Sequence, residues 1–186
     1  MKTRVITGVT IAAVLVPIFY FGGLLLDITL LLMSMMATWE LSRMFGKDLP
    51  NYKVVLVFEV LFSGGIFYMI RSYYQSYVTL DWAFNLIILM VVIGALFMVF
   101  YDKFKSNEFG NMFISVLYPA IGFSAFSGLG AFEGGIYVIG FLFMSTIMTD
   151  TFAYIFGVRY GKHRLAEKIS PKKSIEGSIG GTLSAI

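Results

Sequence analysis

The chain contains no cysteine, one histidine and four prolines among its 186 residues. The lack of cysteine excludes a disulfide framework, a thiolate zinc site, an iron–sulfur cluster and a cysteine nucleophile. The one histidine, His163, lies among cations. Because there is no second histidine, a metal site built from several histidines is excluded. Charged residues make up only 13% of the chain, whereas a soluble domain carries about a quarter. The chain therefore has too few ionic groups to cover a water-facing surface, and we expect it to lie in a membrane.

Apolar residues are abundant instead, at 58% of the chain with a mean hydropathy of +0.82. Runs of about 20 apolar residues, the length of a helix that crosses a bilayer, occur six times and a seventh begins. They cover residues 5–21, 24–44, 54–70, 82–101, 112–132 and 136–158, and the shorter last run covers 175–186. None alternates with the period of a barrel strand. The sequence thus predicts an all-α, polytopic transmembrane bundle, with residues 1–186 forming one domain and only Gly22 and Gly23 dividing the first two spans.

The basic residues give an independent test of this span count, because cytoplasmic loops are enriched in Lys and Arg. If the N-terminus is cytoplasmic, 13 of the 14 Lys and Arg residues fall on the cytoplasmic side, and only Arg71 falls outside. A miscounted span would move the later loops to the other side and remove this asymmetry. We therefore expect an integral membrane protein with a cytoplasmic N-terminus and a cytoplasmic 159–176 loop.

The 159–176 loop holds six basic and two acidic residues, the largest concentration of charge in the chain. Ser170 and Pro171 resemble a helix N-cap and first-turn proline, so that Lys172, Lys173 and backbone N–H groups would point at one anion. This arrangement suits phosphate. Two simpler interpretations stay open: the cations hold the loop in the cytoplasm, or they bind anionic lipid headgroups. The loop is not a nucleotide P-loop, since it lacks the terminal hydroxyl and follows a membrane helix; nucleic acid is not an expected partner.

Acidic residues inside the apolar runs form a second class of candidates, because an ionised carboxylate in hydrocarbon costs about 2.5 kcal/mol or more. Asp150 lies near the cytoplasmic end of the sixth span, among serine and threonine residues that favour a polar site. Hydration at the interface or pairing with Arg159 would also explain it. Glu40 and Glu59 lie near the cytoplasmic ends of the second and third spans, where they could line a shared cavity or form structural pairs.

The stretch from Met148 to Gly181 resembles the corresponding region of the phosphatidate cytidylyltransferases, the CDP-diacylglycerol synthases. The resemblance rests on an aspartate, two spaced glycines with Gly-Lys-His, and Ser-Pro-Lys-Lys-Ser-x-Glu-Gly-x-x-Gly-Gly. Ala37 to Leu41 is a weaker match. With the six-span layout, the similarity extends over the whole chain. The family's Lys-Asp, His-Gly-Gly and Asp-Arg-x-x-Asp elements follow Gly181 in its members and are absent here, so we expect a truncated chain that is inactive on its own.

The resemblance implies an enzyme of the bacterial inner membrane that condenses CTP with phosphatidic acid to CDP-diacylglycerol and pyrophosphate, using Mg²⁺. It implies catalytic roles for Asp150 and Lys173 and metal ligation by Asp150 and Glu176. The residues implied in substrate binding are Arg159, Lys162, Ser170, Lys172, Lys173 and Gly177. The expected partners are CTP, phosphatidic acid, anionic membrane lipids and a second copy of the chain in a homodimer.

Two alternatives to this function remain from the sequence. A CTP-dependent polyprenol or phytol kinase has a similar pattern of aspartate, glycines and lysines but transfers the γ-phosphate to an alcohol. A non-catalytic membrane protein would use the same basic loop only to bind anionic lipid. Magnesium-dependent CTP binding would separate the enzymes from the lipid-binding protein, and product identity would separate the two enzymes.

Overall fold

A computed structural model describes residues 2–46, 49, 52–168 and 170–186. The long helices are α1 (Lys2–Phe21), α2 (Gly23–Gly46), α3 (Tyr52–Tyr74), α4 (Asp81–Phe100), α5 (Ser106–Leu129) and α6 (Gly135–Tyr160). After them come β1 (Arg164–Ala166), β2 (Ser170–Ser174) and the short α7 (Ile175–Ser184). Each of the six predicted spans overlaps one helix, so the predicted helical fold is confirmed. The two short strands within the basic loop were not predicted.

Five helices of the described part, α2 to α6, are long and apolar enough to cross a membrane. The protein is therefore an integral membrane protein, as the composition predicts. The first two spans are indeed separate helices. Gly22 and Gly23 divide them with φ values of +58° and +54°, a backbone conformation that a side chain would strain. The chain forms two compact units, Met1–Glu133 and Gly134–Ile186.

In the first unit, α2 and α3 pack together through rows of buried residues spaced one helical turn apart. The row on α2 consists of Leu26, Leu30, Ser34, Thr38 and Ser42, all buried. Small side chains on such a row let helices approach closely without a hydrophobic driving force, and their hydroxyls bond across the contact. Ser34 and Ser63 do so, with their Oγ atoms 2.9 Å apart. The small polar residues thus fix how α2 and α3 align.

The apolar core of this unit lies among α3, α4 and α5. Its buried members are Val55, Ile66, Met90, Phe97, Phe104, Met112, Val116 and Ala120. Close approach again depends on glycine: a Cβ on Gly94 of α4 would lie 2.5 Å from both the Phe109 ring and the Met112 methyl group of α5. The second unit is simpler. The β1–β2 hairpin connects α6 to α7 in the chain, and α7 folds back along the C-terminal half of α6.

Candidate functional site

The contact between α6 and α7 places the candidate site residues, and glycines make that contact possible. A Cβ on Gly181 would lie 2.6 Å from the Thr149 carbonyl oxygen and 2.8 Å from the Ala153 Cβ. A Cβ on Gly177 would lie 2.7 Å from the Ala153 carbonyl oxygen. Only glycine allows α7 to lie this close to the α6 backbone. Gly177, predicted as a substrate-binding residue, is buried and forms this helix contact.

The basic loop forms a β-hairpin, and this corrects the predicted helix start. Ser170 is the first residue of β2, and α7 begins only after Ser174, whose Oγ accepts a hydrogen bond of 3.2 Å from the Gly177 backbone N–H. Ser174 is therefore the N-cap, and the prediction that Ser170 and Pro171 start the helix was wrong. Both serines fit the local pattern of an N-cap. β2 pairs with β1 in antiparallel register, with Arg164 opposite Ser174.

The two central lysines, Lys172 and Lys173, lie in an irregular part of β2, because its register with β1 shifts between Arg164 and Ala166. The direction of their ammonium groups does not follow from strand alternation there, so the expectation that both point at one anion stays a prediction. Both lysines are exposed, as are Arg159 and Lys162 at the end of α6. Arg159 lies over the ring of Tyr160, 5.9 Å from its centroid, within the range of a cation–π contact.

The Glu176 side chain binds the backbone of the residues that follow α6. Its carboxylate accepts from the backbone N–H groups of Lys162 (3.2 Å) and His163 (3.3 Å), and its Oε1 lies 2.7 Å from His163 Nδ1. Hydrogen bonds from its own backbone N–H and from the His163 side chain lower the pKa of Glu176 to about 2, below the ordinary 4.5. Its carboxylate is thus ionised and bound at neutral pH.

The helix N-terminus has little left to offer a ligand. The Ile175 N–H donates to the His163 carbonyl oxygen at 3.0 Å, and the Gly177 N–H donates to Ser174. Glu176 accepts hydrogen bonds from the other backbone N–H groups nearby. The backbone N–H groups around the start of α7 therefore already have partners within the protein. An anion that binds this loop would therefore meet mainly its exposed basic side chains, which include Arg159, Lys162, Lys172 and Lys173.

Asp150 lies deeper along α6 and is exposed. It stands ten residues before Tyr160, the last residue of α6, which corresponds to about 15 Å along the helix axis. The nearby hydroxyl groups of Thr146 and Thr149 donate to carbonyl oxygens of their own helix at 2.8 Å, so their hydrogens are already used in hydrogen bonds. Arg159 is nine residues away and too far along the axis to pair with Asp150. The carboxylate is therefore positioned to contact a ligand from its own face of α6.

The structure does not bring Asp150 and Glu176 together. Glu176 contacts the residues that follow α6, while Asp150 lies about 15 Å nearer the middle of the helix. Ligands of one Mg²⁺ lie about 2.1 Å from it, so these carboxylates do not share an ion in this arrangement. Within the described residues, no group of three or more His, Cys, Asp and Glu side chains is placed to hold a metal. Asp150 alone fits Mg²⁺, which often binds one protein carboxylate together with substrate phosphates.

Sequence reasoning missed a charged cluster in the first unit. Arg71 is buried rather than lying free in an outer loop, and its Nε donates to Asp27 Oδ1 at 2.7 Å. The Ser127 hydroxyl donates to the same oxygen of Asp27. Two neighbouring spans carry single charges of opposite sign near the same side of the membrane. This pattern in the sequence could have predicted the pair.

Comparison with known proteins gives concordant matches over the full length. Residues 2–186 match the cytidylyltransferase family. The chain is 30% identical to a phosphatidate cytidylyltransferase of Staphylococcus haemolyticus over 193 residues, and 30% identical to one of Staphylococcus aureus over 187. A phosphatidate cytidylyltransferase of Staphylococcus epidermidis is 32% identical over 189 residues. In each case the match covers 100% of this chain and 69% of the relative. No solved structure matches the chain.

Proposed function

Because the chain belongs to the cytidylyltransferase family, we propose that it carries the CTP and phosphatidate chemistry named for its relatives. In this reaction a phosphate oxygen of phosphatidic acid attacks the α-phosphorus of CTP. The bond from that phosphorus to the bridging oxygen of the β-phosphate breaks, giving CDP-diacylglycerol and pyrophosphate. The observation that carries the proposal is the α6–α7 hairpin, which gathers exposed cations at the end of a spanning helix that also carries an exposed aspartate.

Two polyanions must meet in this reaction, and their repulsion is the first barrier to it. Arg159, Lys162, Lys172 and Lys173 supply positive charge at the membrane surface, where CTP arrives from the cytoplasm. Arginine suits this role because its planar group binds two phosphate oxygens at once, whereas lysine acts as a compact charge. We assign the triphosphate of CTP to these four side chains.

The lipid substrate enters from the bilayer, so its phosphate approaches from the side on which Asp150 lies. Asp150 would hold Mg²⁺ jointly with substrate phosphates, and the ion would neutralise negative charge on their oxygens when bound. Glu176 enters the proposal mainly as a positioning residue, because its contacts with Lys162 and His163 hold the hairpin against the end of α6. We keep Ser170 as a proposed substrate-binding residue. It is the first residue of β2 and does not cap a helix.

Binding and product analysis test this proposal on the protein in lipid–detergent micelles. We expect Mg²⁺-dependent binding of labelled CTP, and any turnover of added phosphatidate should give CDP-diacylglycerol and pyrophosphate. Replacement of Lys172 or Lys173 by Ala should weaken CTP binding about 10-fold or more, since a hydrogen bond to a charged group contributes about 1.5–3 kcal/mol. Asp150→Asn should abolish the Mg²⁺ dependence.

Lys168→Ala is the matched control, because Lys168 is an exposed lysine of the same hairpin to which the proposal gives no role. Unchanged CTP affinity in both the Lys172 and Lys173 variants would contradict the phosphate assignment. A phosphorylated alcohol as the product would favour the kinase. No CTP binding together with retained binding of anionic vesicles would favour a lipid-binding protein.

A further inference from the structure

A second polar site lies in the first unit, where the end of α2 meets the starts of α3 and α5. A narrow cavity there has room for roughly one water-sized occupant. Its polar lining consists of Ser42, Tyr52, Glu59, Glu108, Asn111 and Ser115. None of these residues belongs to the α6–α7 hairpin, so the reaction proposed above leaves this cavity unexplained.

Several of these polar groups are buried and lack a hydrogen-bond partner within the described residues. Glu59 is 5% exposed and Ser115 is 1% exposed. Glu59 Oε2, Ser115 Oγ and the Tyr52 hydroxyl have no partner there. A buried polar group without a partner costs about 1–3 kcal/mol, and a carboxylate inside a membrane span costs more. Three such groups on one cavity indicate that they face a ligand.

The chemistry of the lining identifies the class of ligand. The oxygen ligands available are carboxylate, hydroxyl, phenol and amide groups, and among the described residues no Lys, Arg or His side chain lines the cavity. Such a set repels anions and suits a hard cation. Glu108 is half-exposed, so solvent screens its charge, whereas Glu59 is buried and carries the charge that the cavity must balance. One negative charge balances a monovalent ion, and Mg²⁺ would need space for the waters it retains.

We propose that this cavity binds a monovalent metal cation, Na⁺ or K⁺. Glu59 supplies the compensating charge, and the hydroxyl groups of Ser42 and Ser115 supply neutral oxygen ligands. The bound ion ties the cytoplasmic end of α2 to α3 and α5. The site stabilises the first unit and takes no part in the CTP reaction, so it stands independently of the proposed function.

Direct binding and thermal unfolding test this site in the purified chain. We expect saturable binding of one ²²Na⁺ per chain, displaced by unlabelled Na⁺ or K⁺ but not by choline. At constant ionic strength, replacing choline chloride by 100 mM NaCl or KCl should raise Tm by roughly 5 °C or more, because the ion binds only the folded state. The salt that produces the larger shift identifies the preferred ion.

Glu59→Gln should abolish both the binding and the salt-specific shift, and Ser115→Ala should weaken the binding. Glu40→Gln is the matched control, because Glu40 is an exposed glutamate near the same end of α2. Equal Tm values in choline, sodium and potassium chloride for the unaltered chain would overturn the proposal without reference to any variant. Full ²²Na⁺ binding by Glu59→Gln would overturn it as well. A shift produced by Mg²⁺ alone would disprove the monovalent assignment.

Discussion

Glu176 shows how one side chain can fix a loop that is otherwise full of cations. Its carboxylate binds the backbone of Lys162 and His163 and the ring of His163. These contacts replace water as its hydrogen-bonding partner and hold the hairpin at the end of α6. The cationic side chains around it are thereby attached to a fixed backbone, which would lower the ordering cost of the phosphate binding that we propose.

The lowered pKa of Glu176 makes a prediction about pH. Because its pKa falls from 4.5 to about 2 on folding, the carboxylate stabilises the fold above pH 4.5, and this contribution is lost as the pH falls towards 2. Glu176→Gln should therefore lower Tm at pH 7 and pH 5, and the difference from the unaltered chain should shrink as the pH falls from 4 towards 2. Thermal unfolding followed by circular dichroism measures this difference.

Glu167→Gln provides the control, since Glu167 is an exposed acid in the turn of the same hairpin. Its difference from the unaltered chain should be small at every pH. A Glu176→Gln difference that stays constant between pH 5 and pH 2 would contradict the assignment.

At the scale of helices, Gly181 decides whether α7 can lie against α6. Gly181→Val should push α7 away from the α6 backbone, because the new Cβ would overlap Thr149 and Ala153. Overpacking of this kind costs about 1–3 kcal/mol. The chain has no cysteine, so a single disulfide between Met148→Cys and Ser184→Cys can report the distance, since the Ser184 Oγ lies 3.4 Å from the Met148 carbonyl oxygen. We expect Gly181→Val to reduce the yield of this cross-link several-fold.

Gly140→Val is a suitable comparison, because Gly140 lies in α6, the helix against which α7 packs, and a Cβ there would meet nothing within 4 Å. Gly140→Val replaces glycine by the same branched side chain as Gly181→Val. Equal cross-linking in the two variants would show that Gly181 is not needed for close packing.

The elements also show which features local sequence can reveal. The helices could be predicted because a bilayer imposes a length and an apolar composition on each span. The start of α7 could not, because Ser170 and Ser174 both fit an N-cap and only the pairing of β2 with β1 selects the second. The cavity around Glu59 was beyond a firm prediction for a related reason. Ser42 and Ser115 reach Glu59 only through the register of α2, α3 and α5, which no local pattern encodes.

For the whole molecule, the distribution of basic residues predicts the side of the membrane on which each loop lies. A cysteine at Ser76, in the loop between α3 and α4, should react with an impermeant maleimide in intact cells. A cysteine at Ser106, at the start of α5, should react only after the membrane is opened. The unaltered chain has no cysteine and supplies the unlabelled background.

The two labelled positions lie on either side of α4, so the comparison tests the span count as well as the orientation. Reaction of both cysteines in intact cells would show that α4 does not cross the membrane. Reversed accessibility would place the basic loop on the outer side, where cytoplasmic CTP could not reach it.

The Asp27–Arg71–Ser127 cluster has a consequence for how the protein is made. An unpaired charge costs about 2.5–3.5 kcal/mol at the centre of a span and less near its ends, and α2 and α3 carry one charge each near the same end. Emerging from the ribosome, α2 meets this penalty before its partner exists. The two segments are therefore suited to leave the translocation machinery as a hairpin, with the ion pair already formed. Ser127 arrives much later in synthesis and closes the cluster only when α5 docks.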